Sequence, residues 1–297
     1  MSSGMVPAPV PTGESRDGSA IGDRTALRQL VFAVSVLQDL DLVPVDEGVQ
    51  VASGRLLPWH CLEAALAGHD LRATSSRGVL STWLRALQDV AWRSPADLAE
   101  RARPVGLPRG HAVHPGATWT QAWVPGGALD LGVGLLGVAE DPDEVVVLGA
   151  GLLQACGHDP SAWWPGCVGY LEQMGELAAS RHILHPDRPL RPMGDCDVVT
   201  LLGSAALRRA LAGNDSTGMR AAAVPTRRRG WLDLSRIDPA FALVAASLAD
   251  SHERGFERPL LITADEVVLA KAGGDPVLQA MRDAAAPDPQ LPAVLYR

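Results

Sequence analysis

Lysine is almost missing from this chain: Lys271 is the only one among 26 Lys and Arg residues. It sits in Ala270-Lys271-Ala272, so no glycine-rich loop with a terminal lysine can cradle a nucleoside triphosphate. The arginine excess matches the codon bias of a GC-rich genome and is by itself no sign of bidentate recognition. The four cysteines, Cys61, Cys156, Cys167 and Cys196, never fall in C-x-x-C spacing. That excludes the paired-cysteine zinc and redox motifs. No run approaches the ~18 uninterrupted apolar residues that a membrane-spanning helix needs. The first 23 residues have no apolar core behind early positive charge, as a secretory signal would. Excess positive charge is lacking too: the net charge is −8, which gives no bulk attraction to nucleic acid or acidic lipid. These absences lead to the expectation of a soluble cytoplasmic protein with reduced, mostly buried cysteines.

What remains is ordinary globular material: 297 residues, 47% of them hydrophobic and 20% charged. Residues 1–23 carry three prolines and repeated Ser and Gly, which reads as a disordered tail. From Thr25 the pattern is helical, with Leu27, Leu30, Val31, Val34, Leu37 and Leu40 in one apolar stripe. Gly48 to Gly54 reads as a small strand. Helices are expected from Pro58 to Gly68, from Gly78 to Trp92, and after Ser94-Pro95, where Ser94 caps and Pro95 takes the first helical position. Residues 24–104 thus form a mainly helical module. Arg103 to Gly116 holds three prolines and three glycines and reads as a linker.

Residues 105–297 read as an α+β module with antiparallel hairpins. The apolar runs 128–138 and 144–153 flank Asp141-Pro142-Asp143, a hairpin turn. Helices are expected over 168–182 and 198–212, with Asp197 as the cap of the second. Residues 221–224 and 231–234 look extended. A helix capped by Asp238 runs to Arg254, and 259–271 forms a second hairpin.

Several motifs resemble chemistry. Gly132-Val133-Gly134-Leu135-Leu136-Gly137 is a literal G-x-G-x-x-G, but Asp141-Pro142 leaves no room for the helix that must follow it. Val145 to Gly151 fails similarly, with Gln154 in the third glycine position. Ser204 lacks the second glycine of a nucleophile elbow. His60 and Cys61 are neighbours on a helix and should point about 100° apart, which favours core packing for Cys61. His111 and His114 sit in the linker near Trp119 and Trp123.

The densest set of proton carriers and ligands follows Glu172 and Glu176: His182, His185, Asp195 and Asp197. Carboxylates with histidines can hold a divalent cation or serve as acid and base, although no spacing matches a metal frame. Arg227, Arg228 and Arg229, followed by Trp231, are the one dense basic run and could clamp an anion. Trp163 and Trp164 are adjacent large aromatics, a composition favoured at interfaces. Three functions follow. One is an interaction or regulatory protein, with another protein as partner and Trp163 and Trp164 in contact. The second is a metal- or phosphate-handling hydrolase using the 172–197 cluster. The third is a winged-helix-like DNA binder built on the helix and strand of 25–54. The acidic balance weighs against nucleic acid, and nothing specifies a cofactor, metal or oligomeric state.

Overall fold

The computed structural model describes residues 17–51, 54–66, 70–111, 114–139, 141–232, 241–250 and 252–270. It is an α+β fold with antiparallel sheets. No described helix is long and apolar enough to cross a membrane.

The chain opens with α1 (Asp17–Leu37), which starts inside the stretch read as a tail. Leu27, Leu30, Val31 and Val34 are buried as their spacing requires, whereas Leu37 at the helix end is 80% exposed. Three short strands form an antiparallel meander: β1 (Leu42–Pro44), β2 (Gly48–Val51) and β3 (Leu56–Pro58). Then come α2 (Trp59–Ala65), α3 (Thr74–Trp92) and α4 (Pro95–Arg101). Ser94 caps α4 by accepting from the Asp97 N–H at 3.2 Å. Together with α5 (Ala150–Ala155) these elements bury one apolar cluster around Leu80, Leu84, Leu87 and Val90.

The stretch read as a linker begins as strand β4 (Ala102–Pro108). Its prolines fit because β4 is an edge strand, bonded on one side only. Its glycine fits because α7 (Val198–Leu201) covers it: the Gly106 N–H donates to Thr200 Oγ1 at 2.8 Å, and a Cβ at Gly106 would meet the Thr200 backbone at 2.9 Å. β4 pairs with β6 (Leu129–Leu136), which pairs on its other side with β5 (Thr120–Val124) and then β7 (Val145–Val146). The turn at 141–143 forms as expected, closed by the Gly137 N–H donating to the Glu144 carbonyl at 2.9 Å.

Gly132 and Gly134 of the dinucleotide-like motif lie within β6. A Cβ on Gly132 would stand 2.4 Å from the Trp119 ring, and one on Gly134 2.6 Å from Val145. Close packing accounts for both. β6 joins two cores: Leu129 and Leu131 belong to one, Val133 and Leu135 to the other.

The second core lies under α6 (Trp164–Leu184), α7, α8 (Ala205–Gly213) and a sheet ordered β11-β10-β8-β9. Its strands are β8 (Arg220–Thr226), β9 (Arg229–Trp231), β10 (Leu260–Ile262) and β11 (Val267–Leu269). The single helix expected over 198–212 is two. The break at Leu202 and Gly203 leaves carbonyls that buried Arg208 satisfies, donating to them at 2.9 and 2.7 Å. The last helix is α9 (Phe241–Leu248), and its expected cap, Asp238, lies outside the described residues.

Candidate functional site

The acids that looked like a catalytic cluster are tied into the framework. Asp195 accepts from Arg103 Nε at 2.6 Å and from the Tyr170 hydroxyl at 3.2 Å, while the Arg103 guanidinium lies over the Tyr170 ring. Asp197 caps α7, accepting from the Thr200 N–H at 2.7 Å, and also accepts from Arg227 Nε at 2.6 Å. Glu172 accepts from the Ser204 hydroxyl at 3.0 Å and from the Ala205 N–H at 3.1 Å, which ties α6 to the start of α8.

The arginine run divides. Arg227 pairs with Asp197, Arg228 makes two bonds of 2.8 Å to Glu253, and Arg229 stands 5.3 Å over the Trp231 ring. Trp163 and Trp164 are each half-buried; both pack on the first core, and Trp164 touches the second as well. Among the described residues no group of three or more His, Cys, Asp and Glu side chains is placed to hold a metal ion.

His182 and His185 do come together. They border one small cavity at the C-terminal end of α6, which neither Asp195 nor Asp197 reaches. His182 is 4% exposed and His185 exposed. Burial, assisted by the charge of Arg220, holds the His182 imidazole below its ordinary pKa and therefore neutral.

The two histidines of the supposed linker also have internal partners. His111 bonds the Arg254 carbonyl at 3.0 Å, and burial pushes its pKa down to about 4. His114 lies 3.5 Å from Asp130, which Arg109 approaches at 3.0 Å.

One pairing contradicts the helical-angle argument. Cys61 Sγ lies 3.5 Å from His60 Nε2, and both border a cavity of about 460 Å³ beside α5. The angle between adjacent helical positions fixes Cβ directions, but the longer imidazole of exposed His60 can fold back over the thiol. Burial raises the Cys61 thiol above its ordinary pKa, so it rests protonated. The other three are fully buried, with thiols pushed up to about 11 for Cys156 and Cys167 and about 12 for Cys196.

A wider groove of about 750 Å³ runs between α3, β7 and the end of α9. Val79, Trp83, Val145 and Val146 line it, and Glu144, Asp250, His252, Arg254 and the Asp197-paired Arg227 bring charge to it. Among the described residues neither Glu144 nor Asp250 is in an ion pair. Desolvation raises the Glu144 carboxyl above its ordinary pKa, against a lowering influence from His252. Sequence reasoning passed over this place. Glu144 sits at the foot of a hairpin turn and Asp250 just past a helix end, both ordinary positions for solvated acids. Their convergence depends on α9 packing near the β6–β7 hairpin.

No family model, curated protein or solved structure matches this chain.

Proposed function

We propose that this chain is an interaction or regulatory protein that receives a basic, partly apolar segment of a partner protein in the groove between α3, β7 and α9. The observation that carries the reading is the groove's composition: apolar Val79, Trp83, Val145 and Val146 beside Glu144 and Asp250, two carboxylates that form no ion pair among the described residues. Its volume of about 750 Å³ lies within the usual range for binding clefts, roughly 300–1,000 Å³. The net charge of −8 adds long-range attraction for a basic partner. Four unpaired cysteines accord with work in the reducing cytoplasm.

The other two readings draw on groups already engaged. A hydrolase centred on 172–197 would have to use Glu172, Asp195 and Asp197 away from their present hydrogen bonds. A DNA-binding role for α1 would need Arg24 and Arg28, which are paired with Glu63 and Asp46.

The test is calorimetric titration of the full chain with short peptides alternating Lys with Leu or Val. Binding is expected, weakening as salt is raised. The pair Glu144→Gln and Asp250→Asn should reduce affinity at least tenfold, a loss of about 1.4 kcal/mol, without lowering the thermal midpoint. Equal affinity in the double variant, or tighter binding of the Glu-containing counterpart peptide, would sink the reading.

A further inference from the structure

The end of α6 gathers positive charge that no described residue neutralises. Arg181, Arg188 and Arg191 are exposed, and all three border the cavity shared by His182 and His185. None is in an ion pair among the described residues. The partial negative charge at a helix C-terminus attracts cations, which accounts for Arg181 in the last turn of α6. Arg188 and Arg191 lie beyond the helix and need another reason. The loop that carries them is held in place, because Leu190 and Gly230 exchange backbone hydrogen bonds of 2.7 and 3.1 Å. Asp187, the acid next to Arg188, is exposed, and neither it nor Asp195 or Asp197 borders the cavity.

His182 supplies an independent sign. Asn214 Nδ2 donates to its Nε2 at 3.0 Å. That nitrogen therefore accepts, and the proton of the neutral ring sits on Nδ1. Nδ1 is buried without a partner. An N–H donor buried without an acceptor is costly and calls for an explanation. His182 also borders the cavity of about 20 Å³, room for about one water-sized group.

We propose that this cavity and its arginine rim bind a phosphoryl group. One phosphate oxygen enters the cavity and accepts from His182 Nδ1–H. The others stay at the mouth, where the guanidinium groups of Arg181, Arg188 and Arg191 supply paired donors matched to phosphate oxygens. The ligand class is inorganic phosphate or the terminal phosphate of a small monoester. This site shares no residue with the α3–β7–α9 groove, so the two readings stand or fall separately.

The experiment adds inorganic phosphate or glycerol 3-phosphate to the full chain at constant ionic strength and follows the thermal midpoint. The midpoint should rise with ligand concentration beyond any effect of matched sodium chloride, because only the folded state carries the site. A response to the monoester identifies a phosphate carried on a larger molecule; a response to phosphate alone identifies the free ion. Arg188 and Arg191 are exposed, so the double variant Arg188→Ala, Arg191→Ala keeps the fold, and its apparent affinity should fall at least tenfold. Arg72→Ala, which removes an exposed arginine elsewhere, should respond as wild type does. In NMR the His182 Nδ1 proton should shift on adding phosphate, and in the double variant it should stay in place. The proposal is overturned if neither ligand exceeds chloride. It also fails if the double variant responds like wild type, or if Arg72→Ala loses as much as the double variant.

Discussion

His111 couples the fold to pH. Its imidazole is held down to about 4 from an ordinary 6.5, first by burial and then by the nearby charges of Arg227 and His114. The Arg254 carbonyl and Asp197 pull the other way and lose. Between those two values the unfolded chain binds a proton that the folded chain refuses. The stabilisation is therefore complete above pH 6.5 and lost as the pH falls toward 4. By pH 5 the loss from this residue amounts to about 2 kcal/mol. His114, His158 and His182 are lowered as well and add in the same direction. Urea unfolding at pH 7 and pH 5 should show the drop, and His111→Gln should make it smaller. If the two proteins lose the same amount, His111 is not the group that titrates. At this scale the sequence is legible where a residue acts on its neighbours, as when Asp197 caps the helix three residues on. It is opaque where the partner is remote: Arg103 and Asp195 are 92 positions apart, and nothing local links them.

Helix α6 shows how one residue type does different jobs along an element. A Cβ on Gly175 would fall 1.9 Å from Ser204 Oγ, at the contact between α6 and α8. Ser204 cannot yield easily, being fully buried and bonded to Glu172. Gly169 of the same helix has nothing within 4 Å of such a Cβ. Gly175→Ala should therefore cost about 1–3 kcal/mol by overpacking. Gly169→Ala should instead stabilise by up to about 1 kcal/mol through helix propensity. Thermal melts of the two variants should move in opposite directions, and a neutral Gly175→Ala would show that the helices separate freely. Elements whose apolar period matches their burial, such as α3 and the β10–β11 hairpin, are readable in the sequence. β4 is not, because its prolines and glycine also mark linkers; here the prolines mark an edge strand and the glycine a close approach by α7. The α6 cavity was half legible. His182 and His185 stand out by type, but Arg181, Arg188 and Arg191 are lost among the abundant arginines. Their meaning comes from the loop that Leu190 and Gly230 pin against the helix end.

On the scale of the whole molecule, β6 contributes side chains to both cores. Leu129 and Leu131 pack in the second core, and Val133 and Leu135 of the same strand pack in the first. Unfolding either core therefore takes apolar contacts from the other. β4 extends the link, since it spans residues 102–108 and pairs with β6 along its whole length. A fragment ending at residue 104 keeps the start of β4 but loses β6. It also loses Val138, Val146, Leu148, Leu152 and Leu153, which belong to the first core. Stability is a small difference between large terms, so removing that much of one core leaves too little to offset chain entropy. The full chain should then unfold in one transition, with tryptophan fluorescence and far-ultraviolet circular dichroism coincident. Fragment 24–104 should show no cooperative melt. A sharp thermal transition in that fragment, or two separated transitions in the full chain, would show instead that the helical part folds by itself and that β6 merely adheres to it.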